Sequence, residues 1–219
     1  MAVVLLVRHG QASFGAADYD VLSDTGHRQA DIVAERLEAT GVSSVVHGAM
    51  VRQRDTAAPI LRRTGLTAVE DGRFDEYDHV ELVRQVAADP DALPPEARQD
   101  DPRRAFQAVL EVALERWIAG DHGDEHESFV GFRQRVRDGL TALTGGLDGT
   151  VAVVTSGGVI SAVCADALGL DPAGWARLNT VIVNSSITKL VVGRRGTTLV
   201  TVNDHAHLEP HGPALLTYR

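Results

Sequence analysis

Val3 to Val7 runs without a polar residue and is valine or leucine throughout, the pattern of a strand buried on both faces of a parallel sheet. A loop rich in Gly, Ala and Asp follows. Ser23-Asp24-Thr25 then offers helix N-caps, Ala30, Val33, Ala34 and Leu37 recur at helical spacing, and Gly41 is placed to end that helix. Val42 to His47 predicts a second buried strand. From Val51 a helix carries Arg52, Thr56 and Ile60 at steps of four and stops near Gly65, after Arg62 and Arg63. Phe129, Phe132, Val136, Leu140 and Leu143 step by three or four toward Gly145-Gly146, an amphipathic helix. Val151 to Thr155 is another buried strand, followed at once by Ser156-Gly157-Gly158 and the apolar helix Val159 to Leu168. Ile187 to Val192 and Thr198 to Val202 predict a closing strand pair around the Gly193 to Gly196 turn. This alternation predicts an α/β fold, a mostly parallel central sheet with helices on both faces.

The stretch from Asp78 to Asp124 breaks the alternation. It holds Pro90, Pro94, Pro95 and Pro102, many acids, and one helix with Phe106, Val109, Leu110, Ala113, Leu114 and Trp117 on its apolar side. The expectation is one domain over residues 1–219 with a helical insertion or cap at about 78–125. There is no internal repeat or low-complexity tract.

Composition then narrows the partners. With 44% hydrophobic and 23% charged residues the chain can fill a core. Its 30 acidic against 21 basic residues, a formal charge of −9, repel nucleic acid and anionic membranes, so an anionic ligand needs a local basic cluster. Cys164 is the single cysteine; it cannot form an internal disulfide, suits a reducing compartment, and sits in an apolar helical pattern as an inert core thiol. Ala2 to Val7 is cut by Arg8, short of the roughly 7–15 apolar residues of a signal peptide, and no run approaches the roughly 20 needed to span a bilayer. The expectation is a soluble, cytoplasmic protein without nucleic-acid or membrane partners.

Ligands in open α/β sheets sit beyond the carboxyl ends of strands. Three segments lie there: Arg8-His9-Gly10-Gln11, His47 to Arg52, and Thr155 to Gly158. Arg8 and Arg52 bring guanidinium forks that match phosphate oxygens. Gly10 lets backbone approach a bound group. Ser156-Gly157-Gly158 opens a helix whose unpaired N–H groups favour an anion.

These segments resemble those of the histidine phosphatase superfamily, which includes the cofactor-dependent phosphoglycerate mutases. Leu5-Leu6-Val7-Arg8-His9-Gly10-Gln11 resembles the family's opening motif, Leu22-Ser23 with Gly26 and Gln29-Ala30 its next segment, and Arg52 with Thr56-Ala57 its second arginine. Arg73-Phe74-Asp75-Glu76 puts Glu76 at the family's acid, and Leu178-Asn179 and Asn203 to Leu208 resemble later segments. The resemblance implies that His9 attacks phosphorus to form a phosphohistidine, that Arg8 and Arg52 hold the equatorial oxygens, and that Glu76 protonates the leaving alcohol and then activates water. It implies a phosphorylated small-molecule substrate; no cofactor or metal is expected. Gln11, Ser156 and Gly157 are expected phosphate contacts, with Ser13 and Arg54 as minor ones. Two guanidinium groups beside His9 favour its neutral, nucleophilic form.

One departure stands out. The family reads Ser-His-Gly-Gly-Val-Ile where this chain reads Thr155-Ser156-Gly157-Gly158-Val159-Ile160, so Ser156 stands in the place of the second catalytic histidine. A hydroxyl donates one hydrogen bond but supplies no positive charge. The resemblance therefore implies a phosphatase, slowed where nothing replaces that histidine, against a non-catalytic phosphoryl-binding protein or mutase-type phosphotransfer. Glu76-Tyr77-Asp78-His79 lacks the arginine that follows the acid in mutases. A serine hydrolase using Ser156 would need glycine where Val154 stands.

The remaining candidates have plainer readings. Asp75 beside Glu76 could form a paired acid but is expected at a solvated strand end, and His27, His47 and His79 are expected as surface or hydrogen-bonded residues. His122 and His126 are expected in an exposed loop rather than on a metal. His205 and His207 alternate like one face of a strand, and either is a candidate substitute for the missing imidazole. Trp117 and Trp175 are expected in helical cores.

Overall fold

Val4, Leu5, Leu6 and Val7 are all buried, which fixes the first strand as the sheet's interior. The computed structural model of the chain describes residues 2–13, 20–98, 101–123, 126–145, 149–193 and 196–218. Much of the loop after the first strand, Gly146, Asp124, and the centre of the Gly193 to Gly196 turn lie outside the described residues.

The strands are β1 (Ala2–Arg8), β2 (Ser44–His47), β3 (Ala68–Glu70), β4 (Gly149–Thr155), β5 (Ile187–Gly193) and β6 (Gly196–Asp204). The helices are α1 (Asp24–Glu38), α2 (Val51–Thr64), α3 (His79–Ala87), α4 (Pro102–Ala119), α5 (Phe129–Thr144), α6 (Gly157–Leu168) and α7 (Pro172–Val181). The sheet order is β3-β2-β4-β1-β5-β6. The pairs β1 with β4, β2 with β3 and β2 with β4 are parallel, and the pairs of β5 with β1 and β6 are antiparallel. The expected α/β architecture with a mostly parallel sheet is the one observed.

On one face Leu5, Val7, Val45, Ala152 and Val154 pack against Val33, Ala34 and Leu37 of α1 and Ala57 and Ile60 of α2. Val4, Leu6, Val151 and Val153, which alternate with them, are buried as well, and α6 packs against β1 and β6. Both faces are therefore covered, as a parallel core demands. Burying one such aliphatic side chain contributes roughly 1.5–3 kcal/mol. Cys164 of α6 is buried, and that burial pushes its thiol up to about 12, so it is the inert core residue that its neighbours in sequence suggest.

The chain divides into two compact units, Met1–Asp75 with Arg135–Arg219, and Glu76–Gln134. The second holds α3, α4 and the start of α5 around an aromatic cluster: Trp117 lies 5.0 Å from Tyr77 and 5.2 Å from Phe129 between ring centroids. Where one helix was expected there are two. The extra one, α3, is short, capped by Asp78 accepting from Glu81 N–H at 3.0 Å, and anchored by only Leu82 and Val86. Among the described residues no helix is long and apolar enough to cross a membrane.

Candidate active site

Parallel pairing of β1 with β4 sets Arg8 opposite Thr155, and His9 N–H donates to the Thr155 carbonyl at 2.8 Å. Arg8-His9 and Ser156-Gly157 thus leave neighbouring strands at the same edge. β2 lies beside β4, so the start of α2, carrying Arg52, arrives at that edge too. Arg8, His9, Arg52 and Ser156 are all buried.

The loop holding His9 is fixed by close backbone contact. A Cβ on Gly10 would run into the carbonyl of Gly26, and a Cβ on Gly26 into the carbonyl of Gln11. Gly10 N–H donates to Thr56 Oγ1 at 2.9 Å, Gln11 N–H to Gln29 Oε1 at 2.8 Å, and Asn184 Nδ2 to the His9 carbonyl at 3.1 Å. Gln29 in turn donates to Thr217 Oγ1 and the Leu215 carbonyl, each at 2.8 Å. The family segments around Gly26 and Gln29 therefore serve the backbone of the His9 loop.

The imidazole has a definite tautomer. Its Nδ1 lies 2.7 Å from the Gly10 carbonyl, an acceptor, so Nδ1 carries the proton. Arg52 Nε donates to His9 Nε2 at 3.1 Å, so Nε2 presents its lone pair. Arg52 itself is held by Asp20, whose Oδ1 is 2.6 Å from Nη1 and whose Oδ2 accepts from Val51 N–H at 2.8 Å. Arg8 Nη1 donates to the Ile182 carbonyl. A Cβ on Gly157 would lie 3.1 Å from Asn179 Oδ1 and 3.6 Å from Arg8 Nε, so the bare glycine lets both approach the start of α6.

Ser156 is the N-cap of α6, and its Oγ accepts from Gln53 Nε2 at 2.9 Å. Gln11 is half-buried, with its Oε1 accepting from Ser23 Oγ at 2.9 Å. Ser13 donates its N–H to the Val21 carbonyl at 2.9 Å, and Arg54 is exposed beside Asp55. Glu76 opens the second unit, where its carboxylate accepts from Tyr77 N–H at 3.3 Å.

Two expectations need correcting. Asp75 is no solvated strand end: it follows a 3-10 turn, is half-buried, and accepts from Ala49 N–H at 2.6 Å. Burial raises its carboxyl above the ordinary range, an effect that the Ala49 N–H and the charges of Arg135 and Arg52 oppose. His205 and His207 share no strand face, because β6 ends at Asp204 and both lie in the turn that follows. His207 Nε2 is bonded to the Ser185 carbonyl at 2.9 Å, and burial holds its pKa below the usual histidine value.

His47 is buried with Nδ1 2.7 Å from the Gly48 carbonyl, His27 is exposed, and His79 meets Tyr77 edge-on. His126 faces Glu81 at 3.2 Å, while His122 is half-buried, its Nδ1 3.1 Å from the Gly123 carbonyl. Trp175 is buried in α7 and donates to the Gly158 carbonyl at 3.0 Å. Sequence reasoning passed over Asp20, Gln53, Thr56, Asn179 and Asn184 as individual contacts. Of these, only Thr56 and Asn179 lay in segments already marked by the resemblance.

A family model described as the histidine phosphatase superfamily, branch 1, matches residues 4–205. Among curated proteins, a probable phosphoglycerate mutase GpmB of Yersinia pestis is 33% identical over 105 residues, 45% of this chain and 47% of that protein. The match thus spans about half the length of the curated relative. Among solved structures, mycobacterial glucosyl-3-phosphoglycerate phosphatase in complex with VO3 superposes with a TM-score of 0.67 at 26% identity, covering 92% of this chain and 99% of that one. Bacillus stearothermophilus YhfR gives a TM-score of 0.72 at 17% identity over 95% of this chain and 100% of that one, a likeness of fold alone.

Proposed function

The chain belongs to the histidine phosphatase superfamily, and from that membership we propose that it hydrolyses phosphomonoesters through a phosphohistidine at His9. The observation that carries this reading is the tautomer of His9, with Nδ1–H on the Gly10 carbonyl and the Nε2 lone pair facing the Arg52 guanidinium. A phosphoryl group entering beside Arg52 offers charged oxygens, better acceptors for the guanidinium than an imidazole nitrogen. Arg52 then turns to those oxygens and releases the Nε2 lone pair.

Nε2 attacks phosphorus and the ester P–O bond breaks as the N–P bond forms. Glu76 gives its proton to the departing alcohol oxygen, then accepts one from the water that cleaves the N–P bond and frees phosphate. Arg8, Arg52, the Gly157 N–H, the Ser156 hydroxyl and Gln11 spread the negative charge of the transition state. Asp20 holds Arg52 in place. Work in the cytoplasm suits a chain whose one cysteine is a buried free thiol.

Ser156 in the position of the second imidazole removes one cation from the site, which favours either a slow phosphatase or a protein that binds phosphoryl groups without turning them over. A panel of phosphomonoesters, including sugar phosphates and phosphoglycerates, tests this with the parent and His9→Ala. Phosphate release that disappears in His9→Ala supports hydrolysis. Orthovanadate binding without release in the parent supports the binding-only reading.

A further inference from the structure

Gln53 and Ser156 are both fully buried, and Gln53 follows the arginine that reaches His9. Its carboxamide has one workable orientation. Nε2 donates to Ser156 Oγ at 2.9 Å and to the Phe74 carbonyl at 3.1 Å, while Oε1 accepts from Met50 N–H at 3.3 Å. Flipping the amide would set oxygen against the Phe74 oxygen and N–H against N–H. Gly48 leaves the space for it, since a Cβ there would run into Gln53 Oε1.

The orientation dictates what Ser156 does. Its Oγ accepts a hydrogen bond from the Gln53 amide, so its own O–H can donate only to some other acceptor. The Phe74 carbonyl already receives both Gln53 Nε2 and Thr155 Oγ1, the latter at 2.6 Å, which fills its two lone pairs. Among the described residues Ser156 Oγ has no hydrogen bond other than the one it accepts from Gln53, so its proton is available to a ligand at the edge where His9 also leaves its strand. An imidazole at position 156 in the same rotamer would put a ring carbon where Oγ lies 2.9 Å from Gln53 Nε2, closer than an ordinary carbon–nitrogen contact, so the carboxamide would have to move.

We propose that Gln53 is a positioning residue that fixes Ser156 as a hydrogen-bond donor to the phosphoryl group, so that the Gln53–Ser156 pair occupies the place of the missing second histidine. The proposal rests on the phosphatase reading above. Its consequence is that position 156 cannot regain a histidine unless Gln53 is made small.

The test compares Gln53→Met, Ser156→Ala, their double variant, Ser156→His alone, and Ser156→His with Gln53→Ala. Thermal melting, kcat, KM and orthovanadate affinity are measured on each. Gln53→Met and Ser156→Ala are each expected to lower kcat and orthovanadate affinity about tenfold with KM little changed, and the double variant to lose little more. Ser156→His alone gains nothing, whereas with Gln53→Ala it gains on the order of 10²-fold in kcat. A folded Gln53→Met with parental kcat and orthovanadate affinity would overturn the proposal. So would a Ser156→His variant as fast with Gln53 intact as without it. His9→Ala run alongside separates the two readings: turnover that survives it removes the phosphohistidine route, whereas turnover that needs His9 and ignores Gln53 removes only the pair. If the parent has no turnover, orthovanadate affinity reads the pair by itself.

Discussion

Arg52 Nε stands 3.1 Å from His9 Nε2, and the same guanidinium reaches Asp20 through Nη1 at 2.6 Å. One buried side chain therefore fixes the imidazole tautomer and is itself aimed by a carboxylate. Two donors on one planar group are needed for this, which a lysine cannot supply.

Arg52→Ala is accordingly expected to lower kcat by about 10²–10³, the usual cost of losing one preorganised donor to a transition-state oxygen. Arg52→Lys should recover only a small part of it, because it keeps the charge without the fork. Steady-state phosphate release, read beside orthovanadate affinity, checks both. Full activity in Arg52→Lys would show that charge alone suffices.

Gly26→Ala tests the support beneath the His9 loop. The new Cβ would meet the Gln11 carbonyl, a backbone atom tied to Ser23 by N–H and Oγ bonds, so relief requires the loop to move. Overpacking of this kind typically costs about 1–3 kcal/mol, and activity should fall with it. Urea unfolding gives the stability, and an unchanged midpoint with full activity would contradict the close packing.

His207 makes stability depend on pH. Burial lowers its folded-state pKa below the ordinary 6.5, so above that value it is neutral in both states and contributes nothing to the dependence. As pH falls through 6.5 the unfolded chain binds a proton that the folded chain refuses, and stability is lost until the folded-state pKa is reached. His207→Gln, which keeps a donor for the Ser185 carbonyl, should lose less stability than the parent between about pH 7.5 and about pH 5.5. Equal losses in the two proteins would place the acid sensitivity elsewhere.

The elements that could be read from sequence are those whose burial leaves a long signature. β1, β4 and α6 are apolar nearly throughout, and α2 begins at Val51 and is closed by Gly65, in a left-handed conformation, where the residues indicated. β3 has three residues and an exposed Val69, too little for an apolar pattern. The alternation of His205 and His207 misleads because β6 ends at Asp204, one residue after Asn203 adopts a φ of 56°, and the chain then turns, with Leu208 N–H on the His205 carbonyl at 2.9 Å. Arg8, His9 and Arg52 are visible as residue types placed after strands. Gln53 is not, since its partner Ser156 lies 103 residues away and nothing local distinguishes a buried glutamine from an exposed one. Asp20 is hidden for the same reason: it meets α2 from the far end of a loop.

Rapid quenching of the protein with a radiolabelled phosphomonoester, followed by mapping of the labelled peptide, tests the phosphohistidine most directly. The expected result is label on His9, labile in acid and stable in alkali, absent from His9→Ala, and formed and lost fast enough to account for turnover. Label on Ser156, or phosphate release from His9→Ala at the parental rate, would contradict it.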